Sequence, residues 1–202
     1  MINKYEIMIV GTGGQGVLSV GSLLEQAAKF SGFDKVIGGE IHGLAQRGGS
    51  LSKYVRMGED VFGPVIPLGN ADVIICTELV ESLRYLDHLS EDGSIVISET
   101  TIPSFAMWAA GIEYPDTDKI AGLMKNITDN VTIVNTQDIA TKAGNILASN
   151  VVLLGVTSSA VSGFPITTES LKEAIKLNFR DRERLIDVNI KAFEMGINTV
   201  KS

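Results

Sequence analysis

Ile7-Met8-Ile9-Val10-Gly11-Thr12-Gly13-Gly14-Gln15-Gly16-Val17-Leu18-Ser19-Val20 is the stretch on which the reading of this chain turns. An apolar run enters a cluster of glycines and leaves it as a second apolar series, which is the pattern of a strand, a tight turn and a helix. Glycine supplies the positive φ angles and the close backbone approach that such a turn needs. The helix behind it directs its unpaired N–H groups and positive dipole end into the same space, where an anion is stabilised. Gly11, Gly13 and Gly16 meet the spacing G-x-G-x-x-G in the strand-to-helix context of a dinucleotide turn, with Gly14 and Gln15 between them. The phosphate-loop reading fails, because Val17-Leu18 stand where a lysine and a hydroxyl are needed. A second reading stays open beside the nucleotide site: small residues that only let the first helix pack closely on the sheet.

The 202 residues fit a single α/β domain over 1–202, its last part, 164–202, helical, and 45 % hydrophobic residues are ample for its core. A formal net charge of -7 repels polyanions, so neither nucleic acid nor an anionic membrane is an expected partner. Cys76 is the only cysteine, which excludes a disulfide framework and an iron–sulfur cluster ligated by this chain alone. The first residues lack a signal-peptide pattern, and the longest later apolar run, Val151 to Val156, is far too short to span a bilayer. A cytoplasmic location is the expectation.

Downstream of the turn, apolar residues recur at helical spacing from Val17 to Phe30 and stop at Ser31-Gly32. Lys35-Val36-Ile37 reads as a short second strand running into a glycine-rich loop, Gly38 to Ser50, that carries Glu40, His42, Gln46, Arg47, Gly48 and Gly49. Ser50 to Met57 alternates as a strand with a wet face, and Val73-Ile74-Ile75-Cys76 and Ser94-Ile95-Val96-Ile97 are apolar enough to be buried on both faces of a parallel sheet. A helix is expected over Glu81 to Leu86, and an irregular excursion with Phe105, Trp108 and Tyr114 over Thr100 to Pro115. Thr136 and Thr168 are expected helix caps, Asn150 to Val161 an enclosed helix, and Asp181 to Met195 a helix stopped by Gly196. The alternation predicts a three-layer α/β/α sandwich with a mainly parallel, Rossmann-like sheet whose ligands approach the carboxyl ends of the strands. Both glycine-rich stretches then leave strands at that edge and can line one crevice.

Among the loop side chains, Glu40 lies where dinucleotide folds place a ribose acceptor, although Asp34 competes and a local capping role is an equal alternative. His42 is a candidate acid or base, or simply shapes the loop. Arg47, beside Gly48-Gly49, offers a guanidinium fork and backbone N–H groups to one anion, with a subunit-interface ion pair as its rival. No nucleophile elbow, zinc-helix motif or thiamine-diphosphate signature is present, so no self-sufficient catalytic set is legible.

Gly11-Thr12-Gly13-Gly14-Gln15-Gly16-Val17-Leu18, taken with Glu40-Ile41-His42-Gly43-Leu44-Ala45-Gln46-Arg47-Gly48-Gly49-Ser50, resembles the gamma-type domain of 2-oxoacid:ferredoxin oxidoreductases. Leu68 to Asp72, Glu81 to Arg84, Asn150 to Gly155 and Asn189 to Gly196 fall in the same family's order, so the likeness spans nearly the whole chain. The wording around His42 to Gly49 points to the indolepyruvate branch; Leu44 and Gly39 depart from it, standing where methionine and serine are usual. The resemblance implies a subunit inactive alone, in a hetero-oligomer whose large partner carries thiamine diphosphate, Mg2+ and iron–sulfur clusters and passes electrons to ferredoxin. It implies CoA-dependent oxidative decarboxylation of an aryl 2-oxoacid, with binding surface and a coenzyme A contact supplied by this chain, itself a homodimer when isolated. A free-standing NAD(P)-dependent dehydrogenase and an architectural protein whose turn has lost its ligand are the competing functions.

Overall fold

The computed structural model describes residues 2–43, 48–103, 107 and 109–201. Its centre is strand β1 (Tyr5–Thr12), followed by helix α1 (Val17–Phe30), β2 (Val36–His42), β3 (Ser50–Met57) and β4 (Ala71–Cys76). After β4 come the short helix α2 (Leu79–Ser82), a 3-10 turn (Leu83–His88), β5 (Leu89–Ser98), α3 (Thr117–Lys125) and β6 (Val131–Val134). Helix α4 (Thr136–Ala143), a 3-10 turn (Ile146–Ala148), α5 (Ser149–Ala160), α6 (Thr168–Asn178) and α7 (Glu183–Lys201) complete the chain. The sheet order is β2-β3-β1-β4-β5-β6. Strands β1, β4, β5 and β6 pair in parallel, whereas β3 is antiparallel to both β1 and β2. The connection from His42 to Ser50 is too short for a crossover, so only a hairpin can join β2 to β3, and this makes β3 the reversed strand of a mostly parallel sheet.

Period-two alternation assigns the two faces of β1. Ile7 and Ile9 join Val73, Ile75 and Val96 in a core roofed by α1 and by residues of α4 to α7. Met8 and Val10 join Ile74, Cys76, Ile95 and Ile97 in a second core under Leu79, Ile120 and Met124. Helices therefore cover both faces, as a three-layer sandwich requires.

Several local expectations change on contact with tertiary structure. Strand β2 runs on through Gly38 to His42, so Glu40 and His42 sit on an edge strand rather than in a loop; pairing with β3 from Val36 opposite Met57 to His42 opposite Leu51 overrides two glycines. Strand β3 has no wet face, since six of its eight residues are buried and the other two, Ser50 and Lys53, half-buried, and its charged members are paired: Lys53 Nζ lies 2.8 Å from Glu25 Oε1, and Arg56 meets Glu6. The predicted helix at Glu81 is a single α-turn plus 3-10 turn, because Leu89 already begins β5. The caps are Asn135 and Thr167, each one residue before the threonine expected from sequence; Thr136 instead turns its hydroxyl to Ser98 at 2.6 Å. Phe105 and Trp108 lie outside the described residues, whereas Tyr114 is half-buried and donates to Glu78 at 2.5 Å.

Gly196 does not stop the last helix, which continues to Lys201. Its role is contact. A Cβ at Gly196 would lie 2.3 Å from the Val152 carbonyl oxygen of α5, and a Cβ at Gly155 would lie 2.2 Å from the Phe193 carbonyl oxygen of α7. Paired glycines thus let the two helix backbones touch, and this contact seats the fully buried Phe193.

At the opposite end of the sheet from the turn, Glu6 is completely buried and accepts from Arg56 Nε at 2.6 Å, with Lys4 Nζ 3.1 Å from its other oxygen. Arg56 also donates to the carbonyls of Gly63 and Val65, at 2.5 and 2.9 Å, pinning the connection into β4. Asp72 accepts the Glu6 N–H at 2.7 Å, and its carboxyl is held above the ordinary carboxylate value, first by burial and then by the charge of Glu6. The folded state therefore binds this proton more tightly than the unfolded chain does. Stability from the group is full below the unfolded-state value and is lost as pH rises through the folded-state value. Asp72→Asn keeps an acceptor oxygen for the Glu6 N–H and removes that loss, so the stability of the variant relative to the parent should increase as pH is raised from about 4 to about 7. Urea midpoints across that range measure it; a relative stability that falls with rising pH contradicts the assignment.

Candidate functional site

Strand β1 delivers its glycine turn to the carboxyl edge of the sheet. Gly14 has φ 100° and Gly16, the residue before α1, has φ 79°, conformations in which a side chain is strained. Gly11 is required for space: a Cβ there would fall on Thr77 Oγ1. No side chain caps α1, so its first N–H groups open toward the turn. Gln15 folds back over the turn, where its Oε1 accepts from Thr12 N at 3.0 Å and from Thr77 Oγ1 at 2.9 Å.

The second glycine stretch meets the first. Gly13 N donates to Gly49 O at 2.9 Å, and Gly48 N approaches Gly13 O at 3.4 Å. This follows from β3 lying beside β1 in antiparallel register, Thr12 opposite Ser50, so that residues just before β3 lie beside residues just after β1. Gln46 and Arg47 lie outside the described residues. Glu40 and His42 are not brought to the turn. Both are exposed on edge strand β2, with β3 between them and β1, a lateral separation of about 10 Å for two strand spacings.

On the other flank of the turn, over the ends of β4, β5 and β6, lies a cavity of about 570 Å3 walled in part by Gly14, Gln15 and Gly16. A void of that size at the carboxyl edge, beside the strand from which the chain winds both ways, is where open α/β sheets take ligands. Hydroxyls of Thr77, Ser98 and Thr136 line its sheet side, Ser98 bonding Thr136 at 2.6 Å and Thr100 at 2.8 Å. Asn150 closes on Gly16 so tightly that a Cβ there would be 2.4 Å from its Nδ2. Asn189 enters from α7, and Leu23, Val151, Phe179 and Leu185 supply apolar wall. No acidic, basic or histidine side chain lines the cavity among the described residues.

Of the residues singled out from sequence, Gly14, Gln15 and Gly16 border this cavity, Gly11 shapes it through Thr77, and Gly13, Gly48 and Gly49 tie the two stretches together. Thr77 was findable as the residue following an all-apolar strand at its carboxyl end. Asn189, in the middle of an amphipathic helix, gives no local signal at all.

Cys76 is fully buried and its thiol is pushed up, foremost by burial, so it is neither nucleophile nor ligand. Among the described residues no group of three or more His, Cys, Asp or Glu is placed to hold a metal ion. No helix among them is long and apolar enough to cross a membrane.

The family model for pyruvate ferredoxin/flavodoxin oxidoreductase matches residues 6–199, which takes in the turn, the hairpin and the cavity. The chain belongs to the pyruvate ferredoxin/flavodoxin oxidoreductase family. Within that family it is similar to the indolepyruvate oxidoreductase subunit IorB of Thermococcus kodakarensis, 39% identical over 201 residues that cover 99% of this chain and 98% of the relative. It is similar also to IorB of Pyrococcus horikoshii, 37% identical over 201 residues with the same coverage. Among solved structures it resembles a 2-oxoglutarate:ferredoxin oxidoreductase from Magnetococcus marinus with 2-oxoglutarate, coenzyme A and succinyl-CoA bound. There the TM-score is 0.71 at 19% identity, over 100% of this chain but 32% of that one, which is a likeness of fold. The fold thus occurs both as a chain of this length and as part of a much longer one.

Proposed function

We propose that the chain is the small subunit of an indolepyruvate-type 2-oxoacid:ferredoxin oxidoreductase, which converts an aryl 2-oxoacid and coenzyme A to acyl-CoA and CO2 with electrons passed to ferredoxin. Thiamine diphosphate, bound by a larger subunit, supplies the carbanion chemistry, and that subunit's clusters carry the electrons. This chain binds and positions. The observation that carries the reading is the backbone pairing of Gly13 with Gly48 and Gly49, which unites the two glycine-rich stretches at the carboxyl edge of the sheet, beside the uncapped start of α1. Backbone N–H groups gathered there suit a phosphate-bearing acyl acceptor such as coenzyme A. Glu40 and His42, exposed on edge strand β2, are assigned by this reading to the contact with the large subunit, and so are Gln46 and Arg47, which precede β3 in sequence.

The reaction is cytoplasmic in this reading, and the isolated chain forms a homodimer until its partner takes that surface. The experiment is reconstitution. The chain alone should show no 2-oxoacid-dependent reduction of a viologen dye, the large subunit alone should show none, and mixing should restore it; turnover by the large subunit alone overturns the proposal. In the mixture, Gly11→Ala should lower the rate at least about tenfold, because its Cβ displaces Thr77 and with it the Gln15 anchor. Arg47→Ala should lower it as well, and unchanged rates would remove Arg47 from the site. Micromolar binding of NAD(H) or NADP(H) by the chain alone would favour a dehydrogenase instead.

A further inference from the structure

Strand β2 is the outermost member of the sheet, and no described strand pairs with its free side. Its register against β3 runs without a bulge from Val36 opposite Met57 to His42 opposite Leu51. Gly58 N donates to Lys35 O at 3.1 Å, so Lys35 turns its backbone groups toward β3, and every second residue after it does the same. Ile37, Gly39 and Ile41 therefore direct their N–H and C=O groups to β3, whereas Val36, Gly38, Glu40 and His42 direct theirs outward. The strand holds no lysine, no proline and no bulge, the devices that ordinarily protect an edge. Regularly spaced donors and acceptors left open in this way are a template for one more strand.

The edge is complementary to itself. Its outward residues are symmetric about Gly39, so an antiparallel copy of the same strand centred there pairs all of them, Val36 with His42 and Gly38 with Glu40, by about eight hydrogen bonds. Other registers do worse. Centring on Glu40 sets two carboxylates opposite each other, and centring on Gly38 leaves His42 unpaired and sets Ile41 against Lys35. Centring on Ile41 leaves Val36 and Gly38 beyond the end of the opposing strand.

On the face away from α1, the Gly39 register sets Ile37 against Ile41 in the close, non-hydrogen-bonded pairs where side chains touch. Ile41 is 53% exposed. Pro64 stands over Gly39, where a Cβ would lie 2.7 Å from the proline Cβ, so the connection from β3 to β4 runs along this face. It presents Phe62, 84% exposed, and the exposed Val65, and it is held in place by the Arg56 bonds to the carbonyls of Gly63 and Val65. The open backbone edge is thus bordered by apolar side chains on a fixed support.

We propose that two copies of this chain join edge to edge through β2, antiparallel about a two-fold axis at Gly39, so that one sheet runs through both molecules. The inference rests on the homodimer of the isolated chain proposed above and gives it an edge, a register and its contacts: Ile37 against Ile41, with Phe62 and Val65 of both copies beside them. Glu40 and His42 lie in the same edge, so a second copy and the large subunit occupy it in turn and never together.

The test uses the full chain. Sedimentation velocity from about 1 to 200 μM should show a monomer–dimer equilibrium. Disulfides read the register, because Cys76 is buried and introduced thiols alone will react. A mixture of I37C and I41C chains should form a cross-linked dimer on mild oxidation, since the two positions face each other with Cα atoms about 4.5 Å apart. Neither variant alone should cross-link, because like positions lie roughly 13 Å apart along the strands. Ile41→Lys, at an exposed position, should weaken the dimer at least about tenfold while the circular dichroism of the folded chain is kept. No cross-link in the mixture, a cross-link in I37C or I41C alone, or full dimer affinity in Ile41→Lys overturns the proposal. A dimer that fails these tests leaves the homodimer itself standing, whereas a chain that is monomeric at every concentration ends both; reconstitution judges the subunit reading separately.

Discussion

Gly155→Ala lowers the melting temperature by about 10 °C, a loss of roughly 3 kcal/mol at the 2–4 °C per kcal/mol expected for a chain of this size. The sign is the informative part, since in an exposed helix the same substitution would add about 1 kcal/mol of helix propensity. Here the new methyl group would stand 2.2 Å from the Phe193 carbonyl oxygen and 3.0 Å from its carbon, and neither is a side chain that can rotate away. The helices α5 and α7 must therefore part, which loosens the packing around Phe193 and the seven consecutive buried residues of α5. Gly196→Ala meets the Val152 carbonyl from the other side and should cost a similar amount. Because both methyls force one separation, the double variant should lose clearly less than the two single losses added. Thermal melts of the three variants decide the matter, and a raised melting temperature for Gly155→Ala would show that the helices are not in backbone contact.

Arg56→Met costs about 3–5 kcal/mol, the range found when one member of a buried ion pair is removed. Glu6 is 0% exposed, and without the guanidinium it keeps only Lys4, whose side chain is 37% exposed and so held by a screened interaction. The carbonyls of Gly63 and Val65 lose their donor in the same step. Glu6→Leu combined with Arg56→Met should recover much of the loss, since no unpaired buried charge is left. Denaturant unfolding of the single and double variants measures the coupling, and strictly additive losses would show that the pair does not act as a unit.

The architecture was legible because its signals are long and local. The apolar runs at Val73 to Cys76 and Ser94 to Ile97 read as strands enclosed on both faces, and Asn150 to Val161, apolar nearly all round, had to be enclosed if helical; both readings hold. What misled were residues with two physical uses. Gly196 carries the usual sign of a helix end, yet its missing Cβ serves a neighbouring helix, and nothing within a few residues of it distinguishes the two roles. Gly38 and Gly39 suggested a loop, but Gly38 leaves room for the Glu25–Lys53 pair and Gly39 for Pro64, so strand β2 tolerates both. At the site, the turn itself was readable from its spacing, whereas the cavity beside it was not. Thr77 follows β4, whereas Ser98, Thr136 and Asn189 come from three further elements, and their meeting is a product of topology rather than of any motif.

The inert burial of Cys76 has a practical side. With its sole thiol sealed beneath the sheet and held protonated, the parent protein gives a blank background to maleimide reagents. Leu147 at the cavity mouth is 81% exposed, so L147C would carry a single fluorophore or spin label there, and the distance and timing of each docking event at that edge become directly observable.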